Sequence, residues 1–209
     1  MLDGLLYTDE NIAFTNYDGS ITQKKFLRSN YMEGQIYVSD SYKTFYINTT
    51  NNYMFQFILP NDGYALKDVY NKENIMYIKN IDDYKETDYD NRINYFSRVI
   101  FPEFTIQSNY DFSSVLESKY KTENLFSNIS FPSLTEDTIT ISGMVQECVI
   151  EVNKNGITGG AFTMIPTFTR PETEYTRVEN TLVIDRNFAF VISDPSGTIV
   201  FTGIVNSIK

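Results

Sequence analysis

Short runs of β-branched and aromatic residues, bounded by polar turns, recur along this chain and restrict what it can fold into. SITQKKFL, GQIYVSD, KTFYINT and NYMFQFILP carry these residues in partial alternation, the pattern of strands that lay one face on a core. Asn51-Asn52 supplies a hairpin turn between the last two, so this part reads as an antiparallel meander. NRINYFSRVIFPEFTIQ returns to strand and breaks at Pro102. NFAFVISD and TIVFTGIVN form a closing pair around the turn Asp194-Pro195-Ser196-Gly197. Helical spacing is rarer. Leu66, Val69, Tyr70, Ile75 and Ile78 predict a helix in ALKDVYNKENIMYIKNI with Asp62 and Gly63 as its start signal, and DFSSVLESKY predicts a second with Asp111 as N-cap. The 209 residues are 42% hydrophobic and 15% aromatic with no long apolar run, which predicts one globular domain over 1–209.

Charge and composition exclude several functions. A net charge of -10 repels nucleic-acid phosphates and anionic lipid alike, so neither nucleic acid nor a membrane surface is expected as partner. The chain has no histidine and one cysteine, Cys148. That removes Ser-His-Asp and Cys-His catalysis, an internal disulfide and the usual zinc sites. Cys148 lies in the apolar run from Met144 to Val152 and reads as a buried small hydrophobe rather than a reactive thiol. Asp82, Asp83, Glu86, Asp88 and Asp90 read as a solvated acidic loop. No cofactor motif is present, and no enzyme activity or metal is expected. The start, MLDGLLYTDENIAF, lacks the basic region and apolar stretch of a signal peptide.

IEVNKNGITGGAFTMIPTFTR, residues 150–170, begins as an alternating strand and then runs into Gly156, Gly159, Gly160 and Ala161. Such residues build no core, yet they suit a segment that flexes or enters a narrow slot. IEVNKNGITGGA resembles the hinge of the serpin family, which typically has Ile-Glu-Val-Asn, two acidic residues, Gly-Thr-Glu and a run of alanines. FQFILPN, VIFPEFTIQSNYDFSSVLESKY, NLFSN and FAFVISDPSGTIVFTGIVN are similar to further serpin segments and occur in the family's order.

The resemblance implies an α+β fold of mostly antiparallel sheets with a few short helices, corresponding to the C-terminal half of a serpin. It also implies a reactive loop at about residues 156–178, with Gly156, Ile157, Thr158, Gly159, Gly160 and Ala161 as hinge. In the family this loop is bait for a protease, and after cleavage it inserts as a new strand and traps the enzyme. If Ile157 points into the sheet, Gly159, Ala161 and Thr163 follow it inward, a face small enough to insert. Lys154 and Asn155 stand where the family has acidic residues, and Gln146 where it has a buried histidine.

Counting back from Phe188 gives Thr176 and Arg177, and of these Arg177-Val178 is the candidate reactive bond. Counting forward from Gly156 gives Arg170-Pro171, which is second choice because proline locks the backbone. The expected role is inhibition of a serine-type endopeptidase, trypsin-like or other. The alternatives are a non-inhibitory truncated serpin acting as a decoy, and one half of a two-chain serpin completed by an N-terminal half or by self-association. A half-length serpin is also expected to leave the smaller sheet without its covering helices. The family is commonly extracellular.

Overall fold

The computed structural model describes residues 5–49, 52–79, 86–120, 129–130, 133, 138–139, 141, 143–158 and 175–209. In chain order these form β1 (Leu6–Tyr7), β2 (Ile12–Thr15), β3 (Ile21–Lys24), β4 (Leu27–Arg28), β5 (Met32–Glu33), β6 (Tyr37–Val38), β7 (Tyr42–Asn48) and β8 (Met54–Pro60). Helices α1 (Leu66–Val69) and α2 (Lys72–Lys79) follow, then β9 (Thr87–Asp88), β10 (Ile93–Phe101), β11 (Phe104–Asp111) and α3 (Ser113–Tyr120). The remainder is β12 (Ile129–Ser130), β13 (Thr138–Ile139), β14 (Val145–Asn153), β15 (Gly156–Thr158), β16 (Thr176–Val183), β17 (Phe188–Ser193) and β18 (Ile199–Val205). The architecture is α+β with mostly antiparallel sheets and few short helices, as the sequence predicts. Contacts group it into two compact units, Met1–Phe104 with Glu151–Lys209, and Thr105–Ile150.

In the first unit a five-stranded antiparallel sheet runs in the order β18-β17-β8-β7-β6. Its central strands β8 and β17, MFQFILP and FAFVIS, are buried along almost their whole length on both faces. On one face Phe55 and Phe57 meet Phe101 of β10 at ring separations of 6.4 and 4.8 Å, while Phe104 stacks edge-on to Phe188 at 5.5 Å. On the other face Ile58, Ala189 and Val191 join Leu66 and Val69 of α1 in one cluster, with Tyr70 and Ile75 against it. A strand covered on both sides has no polar positions to alternate with, which is why these segments read as continuous apolar runs. The expectation that this sheet would lack covering helices is thereby corrected: α1 and the start of α2 cover it. Each fully buried Phe here contributes roughly 1.5–3 kcal/mol of transfer free energy.

The second sheet of this unit runs β1-β4-β10-β16, with β5 and β9 also on β10. Its β10–β16 pair is parallel, in unbroken register from Ile93↔Thr176 to Ile100↔Val183. Two turns follow their sequence signals. Asn52 takes φ 58° between β7 and β8. The Asp194 carboxylate accepts the Ser196 and Thr198 N–H groups at 2.9 and 2.8 Å while Gly197 takes φ 77°.

The predicted single helix over Leu66 to Ile78 is two. Asn71 ends α1 by donating its Nδ2 to the Asp68 carbonyl and caps α2 by accepting the Asn74 N–H at 2.9 Å. The start also lies later than Asp62 and Gly63. Gly63, at φ 88°, sits in the turn before it, and the Ala65 N–H donates to the Asp68 carboxylate.

In the second unit β11 and β14 are sheet neighbours and β12 pairs with β13. Asp111 accepts the Ser113 N–H at 2.8 Å at the start of α3, and the hydrogen bonds from Ser113 hold its carboxyl below the ordinary aspartate value. Among the described residues of this unit Ile150 alone is buried, while Met144, Val145 and Val149 are exposed. Cys148, expected to be buried, is half-buried because the run around it is largely exposed, and Gln146 is exposed.

Candidate functional site

The segment expected to serve as hinge begins as a hairpin. β14 turns at Lys154-Asn155 and comes back as β15, pairing Asn153↔Gly156, Val152↔Ile157 and Glu151↔Thr158 in antiparallel register. Val152 is buried, so the outgoing strand is seated. The turn closes on itself and on a distant carboxylate. The Asn155 N–H donates to Asn153 Oδ1 at 2.8 Å, and the Lys154 N–H donates to Glu103 Oε1 at 3.1 Å. That same oxygen accepts the Tyr7 hydroxyl at 2.8 Å, and the Lys154 ammonium lies 5.8 Å from the centroid of the Tyr7 ring. The bond to Glu103, with desolvation and the negative charge behind it, pushes the Tyr7 hydroxyl above the ordinary tyrosine value. A lysine at 154 therefore suits its surroundings where a family-type glutamate would face Glu103. Of the six residues expected to form a hinge, Gly156, Ile157 and Thr158 form β15, whereas Gly159, Gly160 and Ala161 lie outside the described residues.

The far end of the loop is also fixed. The stretch expected to run free to residue 178 instead enters β16 at Thr176, and Arg177 and Val178 pair with Asn94 and Tyr95 of β10. The side chain is held as well as the backbone. Arg177 Cζ lies 3.8 Å from the centroid of the Phe96 ring and 5.8 Å from that of Tyr31. Its Nε donates to Glu179 Oε1 at 2.7 Å. Arg98 stacks over Tyr31 at 4.7 Å and donates its Nε to Thr181 Oγ1 at 3.1 Å. Alternation puts Arg177, Glu179 and Thr181 on one face of β16, opposite Asn94, Phe96 and Arg98 of β10. The Arg177 hydrogen bond, joined by one from Tyr31, holds the Glu179 carboxyl below the usual glutamate range. The second-choice bond, Arg170-Pro171, lies outside the described residues, as do Asp82 and Asp83 of the acidic stretch. Asp88 of that stretch accepts the Asn91 N–H in a turn.

Sequence reasoning singled out the glycine-bearing segment and the basic residues after it, but not the groups packed against them. Tyr7, Tyr31, Phe96 and Glu103 carry no local signal, because each meets its partner across a long stretch of chain. Glu103 is 96 positions from Tyr7 and 51 from Lys154.

Comparison with known proteins places the fold. A family model described as Serpin (serine protease inhibitor) matches residues 8–208. No curated protein matches the sequence. Among solved structures, Serpin48 of the insect Tenebrio molitor is similar with a TM-score of 0.68 at 20% identity, covering 96% of this chain and 50% of that one. A serpin of the trematode Schistosoma haematobium gives 0.66 at 17% identity, covering 97% and 52%. Thyroxine-binding globulin in complex with thyroxine gives 0.62 at 15% identity, covering 98% and 53%. The chain thus spans about half the length of the solved structures it matches.

Proposed function

This chain belongs to the serpin family, and we propose that it presents a bait loop, residues 159–175, to a serine protease between two fixed posts, the β14–β15 hairpin and β16. The observation that carries this reading is the hinge register, Asn153↔Gly156 to Glu151↔Thr158. It sets the first rungs of the ladder that a cut serpin loop extends.

Taken alone the chain is cut as a substrate. Trapping needs loop insertion to outrun hydrolysis of the acyl-enzyme, and insertion is driven by pairing on both sides of the new strand. Among the described residues β15 has β14 on one side and no strand on the other. A second reading, one half of a two-chain serpin, is favoured by the exposed Met144, Val145 and Val149, an apolar surface that a complementary N-terminal half would cover.

Incubation with chymotrypsin and with trypsin, followed by denaturing electrophoresis and mass mapping, tests the proposal. With chymotrypsin the expected result is a single early nick within 159–175; neither enzyme is expected to form an adduct, and the cut form should change little in melting temperature. A band at the summed mass that survives boiling in detergent, with a raised melting temperature, would establish inhibition by the chain alone. First chymotrypsin cuts elsewhere, with 159–175 intact, would remove the bait reading.

A further inference from the structure

We infer that Arg177 is an anchor and not the bait residue, and that the protease suited to this loop has an apolar primary pocket. The inference rests on the bait-loop reading and deepens it. A trypsin-like enzyme reaches an arginyl bond by drawing the guanidinium into an acidic pocket and holding the flanking backbone extended in its cleft. At Arg177 both requirements oppose the fold. The backbone is committed to β10 through the pairs Asn94↔Arg177 and Tyr95↔Val178, part of a register that continues to Val183. The guanidinium carbon lies 3.8 Å from the centroid of the Phe96 ring, and Nε donates to Glu179 at 2.7 Å. Phe96 is 8% exposed beneath it, so lifting Arg177 away uncovers an aromatic ring as well as breaking an ion pair. Arg98, stacked on Tyr31 and bonded to Thr181, repeats the arrangement one rung further along and ties the next residues of the same face. The bond can be reached only after local opening of the start of β16, and its cleavage rate follows the small open population.

What this leaves sets the specificity. Between residues 156 and 178 the basic residues are Arg170 and Arg177. Arg170 is followed by Pro171, and Arg177 is the anchor, so a trypsin-like enzyme finds no ready bond. The side chains ahead of the anchor that can fill a deep pocket are Phe162, Met164, Phe168 and Tyr175. All suit an enzyme of chymotrypsin type.

The test compares initial cleavage rates, mapped by mass spectrometry, for the full chain, the double variant Phe96→Leu/Glu179→Gln, and Phe96→Tyr, which keeps an aromatic face. Chymotrypsin is expected to nick wild type within 162–175 while trypsin leaves Arg177-Val178 intact. The double variant should raise the trypsin rate at Arg177 by about tenfold, and Phe96→Tyr should not. Trypsin cutting wild type at Arg177 as fast as it cuts a free peptide of residues 172–183 would overturn the anchor. So would a folded double variant no more sensitive than wild type. Should the double variant fail to fold, hydrogen exchange on wild type decides: protected amides at 177–180 support the anchor, and exchange at intrinsic rates overturns it. Absence of any chymotrypsin cut in 162–175 beside an intact Arg177 would sink the bait reading and leave the anchor standing.

Discussion

Arg177 and Glu179 sit two positions apart on one strand face, and each fixes the state of the other. The depressed Glu179 carboxyl stabilises the fold when it is ionised. That contribution is present above the unfolded-state glutamate pKa and is lost as pH falls through the lower folded value. Both side chains are nearly half exposed, at 46% and 43%, so solvent screening keeps it modest. Carboxyl chemical shifts across an acid titration should show Glu179 titrating below the ordinary glutamate value, and Arg177→Ala should move the midpoint upward. A midpoint unchanged by that substitution would mean that the pair is not formed in solution. The serpin resemblance, counted back from Phe188, made Arg177 visible as a basic residue near the loop's end, and on that ground it read as the bond to be cut. Its role depends on Phe96 and Tyr31, which no local pattern joins to it.

Elements were legible where their own residues decide them. β7, β8, β17 and β18, with the Asp194–Gly197 turn, follow from aromatic and β-branched runs closed by turn residues. Two-residue strands such as β1, β4 and β5 are too short for alternation to register. The split of the predicted helix was readable in principle, since Asn71 is a preferred N-cap residue standing directly before Lys72. Apolar spacing ran through it and hid the break. Because Asn71 both closes α1 and opens α2, Asn71→Ala should cost about 0.5–2 kcal/mol, seen as a lower denaturant midpoint at unchanged slope. A loss well below that range would show that the helices are held by their apolar faces alone. The parallel partnership of β10 with β16 was not legible, because periodicity identifies a strand without naming its neighbour.

At the scale of the whole molecule, apolar burial is unevenly shared. The first unit holds the phenylalanine core between its two sheets, while the described part of the second unit buries Ile150 and leaves Met144, Val145 and Val149 in water. Val145→Thr with Val149→Lys should therefore raise the protein concentration at which self-association appears in light scattering, with little change in melting temperature. An unchanged threshold would point to another surface. The parallel β10–β16 pair has a different outcome. Parallel strands cannot be joined by a tight turn, so everything from Pro102 to Tyr175 is the connection that brings β16 to β10. A single cut in 159–175 severs that connection, yet β16, β17 and β18 remain, with β17 in the middle of a sheet. The clipped protein is then a two-fragment complex, held at a high effective concentration before the cut and by mass action after it. Once unfolded, its halves must find each other by diffusion, so a reversible fold becomes one whose recovery depends on dilution.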